Sequence, residues 1–192
     1  MAENGQTGKA AIRHAMKAWK AALTAAEKDV AEIAVAQRLE QCPEFMAAKH
    51  ILLYHALPDE LQTRLILERW TDRKLLYLPR VNGNSLEILP FCGSASLHSG
   101  AFGIREPEGD VMADVGLMDL IIVPGVAFDF SGNRLGRGKG FYDRLLCEAQ
   151  CPLVGIAYDF QLVEALPSES HDIPMTRIVT DKRDINLQKR DT

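Results

Sequence analysis

The sequence lacks the features that mark several common classes of protein. Its four cysteines form no Cys-x-x-Cys pair and no set with histidines spaced for zinc. No apolar run approaches the roughly 18 residues that a membrane span needs. Residues 1–8 are polar and lack the apolar core of a secretory signal. These absences favour free thiols in a reducing compartment, and we expect a cytoplasmic protein with no membrane anchor.

The chain also lacks an excess of positive charge. Its formal net charge is −4 at pH 7, which argues against general binding to nucleic acid or to membrane surfaces. A hydrophobic content of 47% and a charged content of 25% are ordinary for a globular protein. The length predicts one domain over residues 1–192, with an ordered core at about 9–183. A basic cluster in such an acidic chain is therefore informative.

One glycine- and arginine-rich segment contains such a cluster. The apolar run Leu120–Val123 predicts a buried strand, and Phe141–Leu146 predicts a helix. Between them, glycines at alternate positions from 136 to 140 flank Arg137 and Lys139. Glycine lets backbone N–H groups approach an anion, a helix amino terminus favours negative charge, and arginine matches phosphate oxygens. The loop therefore predicts a phosphate cradle.

The spacing in this loop excludes two familiar phosphate-binding motifs. A Walker A loop needs Ser or Thr after its Gly-Lys pair, where this chain has Gly140. A dinucleotide fingerprint needs a glycine at the position of Phe141. A flexible basic turn without a ligand is the alternative interpretation on spacing alone.

The longer stretch Asn133-Arg-Leu-Gly-Arg-Gly-Lys-Gly-Phe-Tyr-Asp143, preceded by Pro124-Gly-Val-Ala-Phe-Asp129, closely resembles the signature of the 5-formyltetrahydrofolate cyclo-ligase family. Members, also called methenyltetrahydrofolate synthetases, use ATP and magnesium to close 5-formyltetrahydrofolate into 5,10-methenyltetrahydrofolate. The resemblance implies ATP contacts from Arg134, Leu135, Gly136, Arg137, Gly138, Lys139, Gly140, Phe141 and Tyr142. It implies folate contacts from Arg137, Gly138, Lys139, Gly140 and Phe141.

Two of these residues are candidates for catalysis and one for metal binding. Arg137 and Lys139 could balance charge on a phosphoryl group in transfer. Asp143 supplies the hard oxygen that Mg²⁺ prefers. The alternative for Asp143 is an ion pair at the helix start with Arg134 or Arg144.

A second basic pair lies near the amino terminus. Lys9, Arg13 and Lys17 follow at i, i+4 and i+8, and so share one face of a helix. The segment Lys9-Ala-Ala-Ile-Arg13 resembles the family's Lys-x-x-x-Arg element, which implies ATP-phosphate contacts for both ends. The alternatives are a solvated basic edge or, for residues 10–26, a transit peptide rather than a helix of the mature fold.

Acidic residues follow the predicted strand Ile51–Tyr54. Pro58-Asp-Glu-Leu-Gln-Thr63 resembles the family's Asp-Glu-x-x-Thr segment, which implies that Glu60 binds folate. The same pattern implies that His55 lines the substrate site. The alternatives are first-turn acids that favour a helix dipole, and a structural histidine.

Two further segments resemble family elements. His171-Asp-Ile-Pro174 matches the family's His-Asp-x-Pro pattern. The match implies that Asp172 lies near magnesium. The alternative for His171 is a loop histidine that caps local backbone. Phe102–Pro107 resembles an element beside the substrate cleft, without a role for any side chain. The chain departs from the family pattern at Phe141, where tyrosine is common, and at Thr176, where aspartate is common.

Strands that alternate with helical segments predict an α/β fold with a mainly parallel sheet flanked by helices. The family implies a Rossmann-like three-layer scaffold of the isomerase and CoA-transferase type. In such sheets ligands bind at the carboxyl ends of strands, so Glu60 and the glycine loop should meet over one crevice.

Several local predictions complete the fold. Thr24-Ala-Ala-Glu27 predicts a capping box that starts a helix with Val30 and Ile33 inward. We also expect a long loop at 93–116, a short helix around 163–166, an edge strand at 177–180 and a frayed terminus from Asp184.

The predicted partners are 5-formyltetrahydrofolate and ATP with Mg²⁺, and the predicted state is a monomer or weak homodimer. Two other functions remain open at this point. One is a sugar-phosphate isomerase or acyl-CoA transferase on a similar scaffold, which would need no ATP. The other is a regulatory module that binds nucleotide or folate without turnover.

Overall fold

The computed structural model of the chain describes residues 2–100, 105–109, 113–169 and 172–188, with side chains from residue 8 onward. Within these ranges the helices are α1 Ala2–Ala22, α2 Ala25–Leu39, α3 Pro43–Ala47, α4 Arg64–Trp70 and α5 Phe141–Leu146. The strands are β1 His50–Leu52, β2 Leu75–Asn82, β3 Ser85–Pro90, β4 Leu97–Ser99, β5 Arg105–Pro107, β6 Leu120–Pro124, β7 Ala127–Asp129, β8 Arg134–Leu135, β9 Leu153–Ala157, β10 Leu162–Val163, β11 Arg177–Thr180 and β12 Asp184–Asn186.

A seven-stranded sheet in the order β12-β11-β9-β6-β1-β2-β3 forms the centre of the fold. The five inner strands run parallel, and β3 and β12 are antiparallel to their neighbours at the two edges. The strand order reverses between β1 and β6, which is where such sheets open a crevice at the strands' carboxyl ends. The predicted α/β class with a mainly parallel sheet is confirmed.

The core lies on both faces of this sheet because strand side chains alternate between them. Leu120 and Ile122 of β6 belong to the cluster that packs against α2, α3 and α4. Ile121 and Val123 belong to the opposite cluster, which includes Leu146 of α5. All four side chains of this strand are fully buried, so the strand carries a continuous apolar run rather than an alternating one.

Four of the local predictions were wrong. The segment at 163–166 is not a helix, because Val163 lies in β10 and pairs with β7 in a small separate sheet. The strand at 177–180 is not an edge strand, because β12 pairs with its outer side. The chain therefore does not fray at Asp184, and the predicted loop at 93–116 contains the hairpin of β4 and β5.

The helical predictions had mixed outcomes. The capping box of Thr24 and Glu27 is confirmed at the start of α2. The predicted inward side chains of α2 were wrong, since Val30 is 67% exposed and Ile33 is 42% exposed. The buried face instead includes Ala31, Glu32, Val35, Ala36 and Leu39.

The sequence predicted free thiols and no membrane-spanning helix, and both can be checked in the described residues. All four cysteines are free, and Cys42 is the one that is buried. No helix in the described ranges has the length and apolar character needed to cross a bilayer.

Candidate functional site

A cavity of about 430 Å³ opens where the chain leaves β1 and β6. The acidic segment after β1 forms one wall, and the glycine loop with the start of α5 forms another. Part of β2, β3 and β5 closes the far side. The predicted meeting of Glu60 with the glycine loop is confirmed. The lining residues are Tyr54, His55, Leu57, Asp59, Glu60, Pro79, Val81, Leu86, Glu106, Pro124, Gly125, Val126, Arg134, Gly136, Arg137, Gly138, Lys139, Gly140, Phe141, Tyr142 and Asp143.

The hairpin of β7 and β8 presents the glycine loop to the cavity. Buried Asp129 fixes this hairpin by accepting hydrogen bonds from the backbone N–H groups of Ser131 and Asn133, both at 2.9 Å. Within the loop, Gly138 has φ +92° and Gly140 has φ +68°. Side chains are disfavoured in that left-handed region, so two of the three alternating glycines are required by the backbone path.

Arg137 spans the cavity from the glycine loop to the acidic segment. Its Nε donates to Glu60 Oε1 at 3.0 Å, and its Nη2 donates to Asp59 Oδ1 at 2.6 Å. The other carboxylate oxygen of Asp59 accepts a hydrogen bond from Lys20 Nζ at 2.7 Å. Burial raises the pKa of Asp59, but the hydrogen bonds from Lys20 and Arg137 outweigh it and lower the pKa below 3.8. Asp59 therefore stays ionised between two cations.

Glu60 is held by its own loop as well as by Arg137. Its second carboxylate oxygen accepts a hydrogen bond from the backbone N–H of Leu57 at 3.0 Å. Helix α4 begins only at Arg64 and has no acid in its first turn. The alternative interpretation of Asp59 and Glu60 as first-turn acids is therefore wrong, and both carboxylates face the cavity instead.

Two polar atoms in the cavity wall have no hydrogen-bond partner in the described part of the chain. They are His55 Nδ1 and the hydroxyl of Tyr142, and both are buried. Burial, followed by the charge of Arg105, lowers the pKa of His55, so its ring is neutral at pH 7. Burial and the charge of Glu60 raise the pKa of Tyr142. Buried polar groups are usually satisfied, so these two are available to a ligand.

Helix α1 supports the glycine loop from outside the cavity. Arg13 Nε donates to the carbonyl of Gly136 at 2.9 Å. Lys9 forms an ion pair with Glu169 at 3.0 Å. Neither basic residue lies in the described wall of the cavity, although a Cβ atom on Gly138 would lie 3.7 Å from Nη2 of Arg13.

The other predicted ATP-binding residues in and around the glycine loop differ in exposure and in their contacts. Lys139 is exposed, and in the described ranges its ammonium makes no ion pair. Leu135 is buried against Met16 of α1, which fixes the start of the loop. Arg134 stacks over the ring of Tyr142, with 5.6 Å from its guanidinium carbon to the ring centroid. Phe141 lines the cavity beneath the guanidinium of Arg144.

The two predicted metal ligands lie in different settings. Asp143 lines the cavity and forms an ion pair with Arg134, which is the alternative the sequence left open. Asp172 Oδ2 accepts a hydrogen bond from the backbone N–H of Glu169 at 2.8 Å and is absent from the described cavity wall. In the described residues, no three carboxylate, histidine or cysteine side chains form a metal-binding group. His171 lies outside the described residues.

Sequence reasoning did not assign a role to three charged residues in or behind this cavity. Lys20 follows buried Met16 by four residues, so it lies on the buried side of α1, where a lysine needs a partner. Asp59 is that partner, and it also binds Arg137. Glu106 is buried in the wall formed by β5, and although the segment Phe102–Pro107 resembles an element beside the cleft, the sequence did not single out this side chain.

Known proteins resemble this chain in sequence and in fold. The model of the 5-formyltetrahydrofolate cyclo-ligase family matches residues 5–181. The chain is 36% identical over 177 residues to a 5-formyltetrahydrofolate cyclo-ligase of Haemophilus influenzae, covering 88% of this chain and 95% of the relative. It is also 36% identical to the solved structure of a 5,10-methenyltetrahydrofolate synthetase of Aquifex aeolicus, with a TM-score of 0.87 over 96% of this chain and 95% of that one. A synthetase structure from Mycoplasma pneumoniae, at 23% identity, shares the fold with a TM-score of 0.73 over 90% of this chain and 98% of its own.

Proposed function

The chain belongs to the 5-formyltetrahydrofolate cyclo-ligase family, and from that membership we propose that it closes 5-formyltetrahydrofolate into 5,10-methenyltetrahydrofolate with ATP and Mg²⁺. The products besides the methenyl compound are ADP and phosphate. The single observation that carries this proposal is Arg137, which joins a glycine loop suited to phosphates with carboxylates suited to a pterin ring across one cavity.

The glycine loop is the proposed ATP site. Its backbone N–H groups approach phosphates closely where glycine removes the side chain. Lys139 and Arg137 add positive charge at the cavity, and Arg134 adds more at its base. Arg13 holds the loop through the carbonyl of Gly136. Lys9 lies four residues earlier on the same face of α1. We propose that both contact the ATP phosphates once the nucleotide is bound.

The acidic wall is the proposed folate site. Glu60 accepts hydrogen bonds from ring nitrogens of the substrate. The unpaired atoms of His55 and Tyr142 offer further hydrogen bonds in the same cavity. Phe141 provides a ring for stacking where relatives commonly have tyrosine.

Asp143 fits a role in binding Mg²⁺, because this ion is usually held by one or two carboxylates together with substrate phosphates. Few acids line the described cavity wall near the glycine loop, which is consistent with a magnesium site that has few protein ligands. Asp143 must then exchange its bond with Arg134 for the ion. Asp172 is the proposed second ligand, directly or through water. Bound Mg²⁺ would neutralise phosphate charge during transfer.

The proposed reaction solves the problem of a poor leaving group. The formyl oxygen attacks the γ-phosphorus of ATP, ADP leaves, and the formyl group becomes an iminium phosphate, in which N5 is double-bonded to the carbon that carries the phosphate. The substrate's N10 attacks that carbon, the N10 proton is released, and expulsion of phosphate gives the methenyl bridge. Arg137 and Lys139 stabilise the charge on the phosphoryl group in transfer, and removing one such donor typically costs about 3 kcal/mol of transition-state stabilisation.

The direct test mixes the protein with ATP, Mg²⁺ and 5-formyltetrahydrofolate and follows the near-ultraviolet absorbance of the methenyl product. We expect that absorbance to appear together with ADP, and only when all three are present. Binding of both substrates without product would favour a regulatory module. Turnover of a sugar phosphate or an acyl-CoA without ATP would favour the other enzyme class.

A further inference from the structure

Among the described residues, the carboxylate of Glu106 has no cationic partner although it is buried. The residue is 7% exposed. Its Oε1 accepts one hydrogen bond, from the backbone N–H of Val81 at 3.1 Å. In the described ranges, no lysine or arginine nitrogen lies within the 4.0 Å that defines an ion pair with it. A buried charge is costly unless it is paired, and the described residues give this carboxylate one backbone hydrogen bond and no cation.

The nearest basic residue in sequence does not supply that partner. The side chain of Arg105 donates to the carbonyls of Leu97 at 3.0 Å and Ser94 at 3.1 Å. These bonds hold β5 against the segment that leads into β4, with Arg105 exposed and Glu106 turned inward. The strand alternation therefore fixes Glu106 in the cavity wall beside Val81 and Leu86.

Gly100 makes room for this carboxylate. A Cβ atom built on Gly100 would lie 2.0 Å from Glu106 Oε2. The backbone of Gly100 is not in the left-handed region that favours glycine. Its lack of a side chain is therefore explained by the close approach of Glu106 rather than by backbone strain.

The position of Glu106 indicates which part of a ligand it meets. Its contacts are with β2 and with Gly100, whereas Glu60 bonds to Arg137 of the glycine loop. Glu60 therefore lies beside the glycine loop, and Glu106 lies on the wall made by β2, β3 and β5. That wall is otherwise apolar where Pro79, Val81 and Leu86 line it.

We propose that Glu106 recognises the pterin ring of the substrate by accepting hydrogen bonds from the adjacent N3–H and 2-amino groups. This inference rests on the proposed function, which supplies the pterin. A carboxylate accepts two parallel N–H donors well, and each oxygen keeps a lone pair after the bond from Val81. The ring stacks along the apolar wall, and the buried charge gains its missing partner on binding.

The test uses Glu106→Gln, because glutamine keeps the size of the side chain and one oxygen for the Val81 N–H. Calorimetric titration without ATP measures binding of 5-formyltetrahydrofolate and of its 2-desamino-2-methyl analogue. We expect the variant to bind the substrate roughly tenfold more weakly or worse, with the KM for ATP unchanged. We expect the wild type to prefer the substrate over the analogue roughly tenfold, and this preference to shrink to within about threefold in the variant.

Gly100→Ala and Glu87→Gln complete the set. The alanine displaces the carboxylate without removing its charge, so it should weaken substrate binding as Glu106→Gln does. Glu87 pairs with Arg80 on the neighbouring strand, outside the described cavity wall, so its variant should bind like the wild type. The melting temperature of ligand-free Glu106→Gln should rise, because the variant removes an unpaired buried charge.

The outcomes separate the two proposals. A wild type that binds substrate and forms product, with unchanged affinity and analogue preference in Glu106→Gln, would overturn the role of Glu106 alone. A lower melting temperature with unchanged affinity would make Glu106 a structural residue. A wild type that neither binds nor converts 5-formyltetrahydrofolate would overturn the proposed function and this inference together.

Discussion

Arg137 and Arg177 each lie between two carboxylates, but in opposite settings. Arg177 bonds to Asp184 at 2.6 Å and to Glu44 at 3.2 Å, with its side chain 8% exposed. Arg137 bonds to Asp59 at 2.6 Å and to Glu60 at 3.0 Å, with its side chain 44% exposed. The chemical groups are the same, and the difference is access to water and to ligands.

The buried cluster joins elements of the fold. Arg177 of β11 ties the edge strand β12 to α3, because Asp184 and Glu44 belong to those elements. The thiol of Cys42 lies beside it, and burial followed by the charge of Asp184 raises the pKa of that thiol to about 12. The residues of this cluster do not line the described cavity. The Arg137 cluster joins two loops across a cavity, where an anion or a folate can replace either partner.

The largest expected effect comes from breaking the buried cluster. Arg177→Ala leaves Glu44 and Asp184 without their cation, and we expect the free energy of unfolding to fall by about 3–5 kcal/mol. Urea denaturation at neutral pH measures this. Arg177→Lys, which keeps the charge, is the matched control and should lose less. A loss below about 1 kcal/mol in the alanine variant would mean that the cluster is not structural.

Breaking the exposed cluster should affect the reaction rather than stability. In Arg137→Ala we expect kcat/KM to fall roughly a hundredfold, because a donor to the phosphoryl group in transfer is lost. The free energy of unfolding should change by no more than about 1 kcal/mol. Steady-state kinetics and urea denaturation of the same preparation check both statements. A variant with normal kinetics and a large loss of stability would mean that Arg137 has a structural role like that of Arg177.

A smaller effect is expected from the partner of Arg137. Glu60→Gln keeps an oxygen for Leu57 and Arg137 but loses the charge and part of the acceptor capacity. We expect folate binding to weaken roughly tenfold, with ATP affinity preserved in the absence of folate. Calorimetric titration of each ligand separately distinguishes the two. The reverse pattern would assign Glu60 to the nucleotide or the metal.

The smallest expected effect is on the stability of the protein in acid, and it comes from Asp59, which binds Arg137. The folded-state pKa of Asp59 is lowered below 3.8, so its contribution to stability is present above pH 3.8 and is lost as the pH falls through the lower folded-state value. Asp59→Asn keeps an oxygen for the buried ammonium of Lys20 but removes the charge beside it, so the variant should be less stable than the wild type at neutral pH by about 1 kcal/mol. Denaturation at a series of pH values should show the difference vanish in acid. A difference that persists below the folded-state pKa would exclude ionisation as its cause.

The sequence was sufficient to predict which loops meet. Parallel strands bring their carboxyl ends to one edge, so the acids after β1 and the basic loop after β6 had to face one crevice. The capping box of Thr24 was also predictable, because it depends on residues three positions apart.

Tertiary partners were not predictable in the same way. Strands β10 and β12 are only two and three residues long, and their formation depends on pairing with β7 and β11. The spacing of Asp143 could not decide between Arg134 and a metal ion. The role of Glu106 depends on Gly100 and Val81, which lie close to it only in the folded chain.

Hydrogen exchange tests the contrast between the two arginine clusters most directly. The free protein is compared with protein that holds a non-hydrolysable ATP analogue and Mg²⁺. We expect the amides of residues 136–140 to exchange rapidly in the free protein and to become protected on binding, because alternating glycines leave few side chains to pack against the rest of the fold. The amides of β11 should be protected in both states. Loop amides that are already protected and do not change would contradict an exchangeable cluster at Arg137.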